Sequence, residues 1–210
     1  MDSESGGTRT AHQRLRTVVL LVAGLNFAYF FIESSVAVSI GSVSLFADSV
    51  DFLEDTAINV LIFLALGWSL RQQSRAGKIM ALIILLPAAA AAWQAISKFG
   101  NPTPPDPLAL ILTAGGAAVI NLTCSILLAR FRHHGSSMAT AAFLSARNDV
   151  VINLAIIAMG LITAWTSSGW PDLVLGLIIV GLNFGAAKEV WETAHQESLA
   201  AKALAGNSID

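Results

Sequence analysis

One apolar stretch of this 210-residue chain carries four carboxylates, Asp48, Asp51, Glu54 and Asp55. A second carries Arg147 and Asp149, and a third holds Asn26 and Glu33. A charge at the centre of a bilayer costs at least ~2.5–3.5 kcal/mol on the insertion scale. Such residues must therefore face a protein interior, a wet cavity or a bound ion. At about 100° per residue, Asp48, Asp51, Asp55 and Asn59 fall within roughly 80° of one another on a helix. They form one acidic stripe, with Glu54 some 60° or more off it. Asp51 and Asp55 are four apart, so both can reach one cation. No nucleophile–base pair and no H-E-x-x-H motif accompanies them, which disfavours an intramembrane protease. We expect no enzyme and no cofactor.

The elements that position these residues are membrane helices. The chain is 55% hydrophobic and 12% charged, with mean hydropathy +0.68, and so little polar surface cannot cover a globule in water. A net charge of −2 gives no field for nucleic acid. The single cysteine, Cys124, excludes an internal disulfide and is expected to pack among apolar residues. A membrane helix needs roughly 20 mostly apolar residues. Residues 17–40, 43–70, 79–98, 108–130, 139–165 and 173–190 meet that need. The fold class is all-α integral membrane, with a 1–16 tail, a 17–190 six-helix domain and a 191–210 tail containing an amphipathic stub. The first span reads as uncleaved, because its apolar run continues without a small-residue cleavage site.

Breaks fall at the Gly41-Ser42 turn, a basic loop over 71–78, the proline-rich 101–107, the polar Arg132-His-His-Gly135 and the loop before Pro171. Trp165 and Trp170 are placed as interface anchors. Pro87 is expected to kink the third helix. Gly115 and Gly116 are expected to allow close packing, and Pro171-Asp172 reads as a helix start. Arg9, Arg14, Arg16, Arg71, Arg75, Lys78, Arg130, Arg132, Lys188 and Lys202 fall on one side of six spans, against Lys98 on the other. The positive-inside rule then makes both termini cytoplasmic. Absence of other targeting signals suits a bacterial inner membrane.

Asp55 lies about 21 Å from the outer end of its span and Asp149 about 15 Å from the inner end of its own. Both, with Asp51, are near mid-membrane, where two helices can meet around a cation. Those helices also share a pattern: Asp55-Thr-Ala-Ile-Asn59 and Asp149-Val-Val-Ile-Asn153 are both D-x-x-I-N followed by an apolar run. Internal repeats with a site at their interface are common in transporters; chance similarity of apolar helices is the alternative. Arg147 lies about 160° round its helix from Asp149 and is expected to pair with Glu54 or Glu33, or to snorkel.

Gly41-Ser-Val-Ser-Leu-Phe-Ala-Asp-Ser-Val-Asp-Phe-Leu-Glu-Asp55 resembles the second-helix signature of the cation diffusion facilitator family. Asn26…Glu33 looks like its first helix, Ala142-Phe-Leu-Ser-Ala-Arg-Asn-Asp149 its fifth, and Gly169-Trp-Pro-Asp172 the start of its sixth. The resemblance implies a metal/proton antiporter, usually a homodimer, that moves zinc or similar ions out of the cytosol. By position it implies Asp51, Asp55 and Asp149 as metal ligands. The family's other fifth-helix ligand is often His, Asp or Asn, and Ser145 stands there in this chain; Asn148 or a water can supply the oxygen instead. The cytoplasmic domain that most members place after helix six has no counterpart here, so dimer contacts are expected from the helices.

An all-oxygen site suits harder ions, which raises Mn²⁺ and Fe²⁺, but Asp also ligates Zn²⁺ well, and zinc with cadmium stays first. Three carboxylates carry −3 against +2, so protons are expected to balance the site when metal leaves. His133-His134 is expected as a solvated loop, with metal delivery the sharper alternative. A passive proton or cation channel is the competing function, since a buried acidic stripe serves it too; a non-transporting scaffold or metal sensor is weaker.

Overall fold

The computed structural model describes residues 2–65, 68–131 and 137–206. Its elements are α1 (Asp2–Ile40), α2 (Val43–Ala65), α3 (Leu70–Lys98), α4 (Pro107–Ala129), α5 (Ser137–Thr166) and α6 (Trp170–Gly206). Five carry apolar stretches long enough to cross a membrane: Gln13–Ile40, Ser74–Lys98, Pro107–Ala129, Ala142–Thr166 and Trp170–Leu204. The exception is α2, whose four carboxylates interrupt its hydropathy. It lies against α1, α3, α5 and α6, so the helix with four carboxylates inside its apolar run is enclosed by four others. Elsewhere α1 packs on α2, α3 on α6 and α4 on α5, while α5 meets α2 and α6 along narrower contacts. Large apolar side chains such as Leu86, Trp93, Val151 and Trp165 point outward, as lipid as solvent requires.

The chain runs up and down. One end gathers the α1–α2, α3–α4 and α5–α6 connections. There Phe99 stacks edge-on against Trp170 at 5.7 Å. A Cβ on Gly169 would sit 2.7 Å from the backbone carbon of Thr103, so only glycine lets the two loops approach this closely. Gly41 takes φ +68 to end α1, and Ser42 N donates to Ala37 O at 3.0 Å. Ser42 then caps α2, its Oγ accepting from Leu45 N at 3.1 Å. Lys98 Nζ donates to Gly41 O. The proline-rich connection is non-helical, and Asp106 Oδ1 caps α4 by accepting from Ala109 N at 2.7 Å. The other end gathers the termini: Arg16 lies over the Phe63 ring at 4.6 Å and Lys78 near the Trp191 ring at 5.9 Å.

Three expectations change here. Residues 71–78 are helical, not a loop, because Leu70–Lys98 contains no breaker before Pro87 and Gln72 Oε1 closes its start on Ser69 N at 2.9 Å. A helix does not have to end where the membrane does. For the same reason α1 begins at Asp2, and α6 runs to Gly206 unbroken, so the stub at 191–204 is the end of one long helix. That extension packs on α3, where a Cβ on Gly77 would meet Ala194 Cβ at 2.8 Å. His133 and His134 lie outside the described residues.

Asp172 stands in the first turn of α6, as its reading as a helix start requires, and it also joins α6 to α2. Its buried carboxylate accepts from Ser42 Oγ (2.6 Å), Val43 N (2.8 Å), Ser44 N (3.2 Å) and Ser44 Oγ (2.6 Å). An anion at a helix N-terminus meets the unpaired N–H groups and the positive end of the dipole. Gly176, one turn on, makes room: a Cβ there would stand 2.8 Å from Ser44 N. Asp172→Ala strands several buried donors at once and should cost about 2–4 kcal/mol. A thermal melt in detergent checks it: the variant should melt well below wild type, and an unchanged melt would show that this clamp does not hold α2 to α6.

Candidate metal site

The interior stripe of α2 is as the helical spacing predicts. Asp48, Asp55 and Asn59 are buried, while Asp51 and Glu54 are half-buried. α2 descends from the turn end and α5 rises toward it, so their i,i+4 pairs meet in reverse order. Ser145 Oγ donates to Asp55 Oδ1 at 2.9 Å. Asp51 and Asp149 are near enough to repel one another. Two pairs of oxygen-bearing side chains, Asp51/Asp55 and Ser145/Asp149, thus face each other across the α2–α5 contact. Among the described residues no three His, Cys, Asp or Glu side chains already converge on one point. Like charges spread toward whatever donors they can reach: Asp55 has turned to Ser145, and Asn26 Nδ2 approaches its Oδ2 at 3.5 Å.

The D-x-x-I-N repeat has a structural counterpart. Asn59 Nδ2 donates to Asp55 O at 2.8 Å, and Asn153 Nδ2 donates to Asp149 O at 2.7 Å. In each helix the asparagine braces the backbone of the aspartate one turn earlier. Both leave their Oδ1 buried and without a donor.

Two residues around the site escaped the sequence reading in their roles. Asn26 of α1 faces the protein interior, as a polar residue in a span must, and the structure adds its partner: it is fully buried beside Asp55. Cys124 of α4 is buried in an apolar cluster, as expected, but its Sγ also lies 3.9 Å from Asn26 Oδ1. Only the 29- and 98-residue separations of these contacts hid them; no local pattern signals either. The structure does not bring Asn148 into the site: it is exposed, and Arg147 Nη2 approaches its Oδ1 at 3.5 Å. Nor does Arg147 pair with Glu33 or Glu54, because it too faces outward; the ion pair seen among the described residues is Lys188–Glu192. Glu54 instead lies toward Glu189 of α6.

Gly116 meets Tyr29 of α1, whose hydroxyl donates to Thr113 O at 2.8 Å. Close packing is thus what this glycine permits, whereas Gly115 faces open space.

Residues 19–195 match the family of the cation efflux transmembrane domain. The zinc transporter ZitB of Escherichia coli (strain K12) and that of Shigella flexneri are each 27% identical over 180 residues, covering 77% of this chain and 55% of theirs. The chain therefore spans about half the length of the curated relatives it matches. The match runs from the first apolar helix into the last, through both helices that bear the facing acidic pairs, and by it the chain belongs to the cation efflux family, the cation diffusion facilitators that its second helix resembles.

Proposed function

We propose that this protein exports divalent metal ions in exchange for protons, with zinc the first candidate and cadmium second. The observation that carries this is the antiparallel meeting of Asp51/Asp55 with Ser145/Asp149 inside a bundle of the cation efflux family. Asp51, Asp55 and Asp149 supply charge, and Ser145 supplies a neutral oxygen and completes four ligands. The ZitB relatives are zinc transporters, which supports zinc as cargo here. The oxygen-only set makes manganese and iron the second reading.

Ligand helices that touch each other narrowly suit alternating access. α2 is held to α6 by Asp172, and α5 packs chiefly on α4. A shift between the two groups changes the spacing of the four side chains without breaking either group's packing. The orientation follows the arginine and lysine count, with both termini cytoplasmic. A homodimer would form through the outward helix faces.

Reconstituted vesicles with a metal-sensitive dye inside test the proposal against Zn²⁺, Cd²⁺, Mn²⁺ and Fe²⁺. Wild type should show saturable uptake, ranked Zn²⁺ first, and Asp55→Ala should abolish it. Non-saturating flux that survives Asp55→Ala would favour the channel. Ser145→Ala removes one ligand oxygen and the donor to Asp55, and should raise the KM for metal about fivefold, or ~1 kcal/mol; an unchanged KM would remove Ser145 from the ligand set. An acidic vesicle interior should drive uptake, and a protonophore should abolish that drive. Uptake indifferent to both would sink the exchange with protons.

A further inference from the structure

Metal ligation leaves one pair of acids unexplained. Glu33 of α1 and Asp48 of α2 are 0% and 1% exposed, and all four of their oxygens lack a hydrogen-bond donor. They face one another closely enough to share a hydrogen bond. Glu33 stands seven residues before the end of α1 and Asp48 five after the start of α2. At 1.5 Å per residue both lie about 7–11 Å from the turn end. Asp48 is three residues from Asp51, one turn nearer that end. We propose that Glu33 and Asp48 share a proton, and that this pair, apart from the metal ligands, carries the proton that leaves when metal binds. The second half rests on the antiport reading above; the first does not.

No neighbouring group relieves two ionised carboxylates here. The titratable groups that face the pair are Tyr29 on α1, Asp51 on α2 and Asp149 on α5. All are acids, and the Tyr29 hydroxyl is taken by Thr113 O. From α6, Asn183 Nδ2 is committed to Ala47 O at 2.7 Å. From α3, Gln94 Nε2 approaches Ser42 O at 3.4 Å, and Lys98 is bound to Gly41 O. α4 offers the pair no cation. An unpaired buried charge is among the most costly arrangements in a protein. One proton between the two carboxyls supplies the missing donor and removes half the charge.

A metal ion is the other occupant to weigh. Zinc takes four ligands, and two carboxylates do not make them. The nearest further acids, Asp51 and Asp149, are already proposed as ligands of the neighbouring site. The proton fits the donor set and the metal does not. Side chains three apart on a helix lie about 5–6 Å apart at Cβ. A dication arriving at Asp51 therefore repels a proton held at Asp48 through about one helical turn of low-dielectric interior.

Infrared spectroscopy of the reconstituted full chain reads this directly. Wild type at neutral pH should show the C=O band of a protonated carboxyl, shifted in D₂O and diminished by Zn²⁺. Glu33→Gln and Asp48→Asn should each lose that band, and each should release about one proton fewer per zinc bound. Asp55→Ala should keep the band. Either amide alone removes the pair, so one well-folded variant suffices. A band that persists in both variants, or is lost equally in Asp55→Ala, overturns the proposal. So does loss of zinc binding together with the band, which would make the pair part of the metal site. The band reports the pair whether or not the vesicles take up metal, so failure of transport and failure of the pair are read separately.

Discussion

A carboxylate out of water must find its partners inside the protein, and the rest of this bundle is arranged around that constraint. α2 carries four acids, and the other helices shield most of them from lipid. Each acid is settled in a different way. Asp172 of α6 is neutralised by the start of α2, where backbone N–H groups and two serine hydroxyls converge. Asp55 takes the Ser145 hydroxyl and the Asn26 amide. Asp51 and Asp149 meet as like charges, which a cation between them would reconcile. The bundle gives four donors to the acid that joins α6 to α2 and two to Asp55, and gives Asp51 and Asp149 like charge as a neighbour.

Antiparallel register follows from the same economy of space. A pair four residues apart presents two side chains on one face, and two such helices running oppositely bring four side chains to one level. The braces from Asn59 and Asn153 repeat on both helices, so the backbone of each aspartate is held within its own helix. The side chain of Asp55, by contrast, reaches across to Ser145 of α5. Four side chains on two helices thus meet through few direct bonds, unlike a closed structural metal site that ties its helices together.

The spans, the acidic stripe and the repeat were legible because hydropathy and a 3.6-residue period are local properties. Asp51, Asp55, Ser145 and Asp149 were brought together from spacing and resemblance before any contact was known. What stayed hidden was either long-range or set by something other than the membrane. Asp172 looked like a helix start because its partners are about 130 residues away. Residues 71–78 looked like a loop because polarity marks the bilayer's edge and not the helix's end. Sequence left Arg147 with two readings, a buried acidic partner or an outward, snorkelling course, and the first falls because it and Asn148 face outward together. Cys124 was rightly placed among apolar residues, but its approach to Asn26 depends on how α4 crosses α1.

The order of groups along α2 would give the proposed exchange a short physical route. Reading from the turn end, Asp48 comes first, then Asp51 one turn on, then Asp55. All share one face, and only Asp51 among them is half-exposed. A cation that enters beside Asp51 raises the local potential for Asp48 within the same helix, through a medium that screens little. No chain of packed side chains is required to carry that message. Coupling of this kind depends on the separation between two residues of one rigid helix, so it persists while α2 shifts against α5. The proposed ligands on α2 and α5 would be free to change their spacing, whereas the step between Asp48 and Asp51, within one helix, would not.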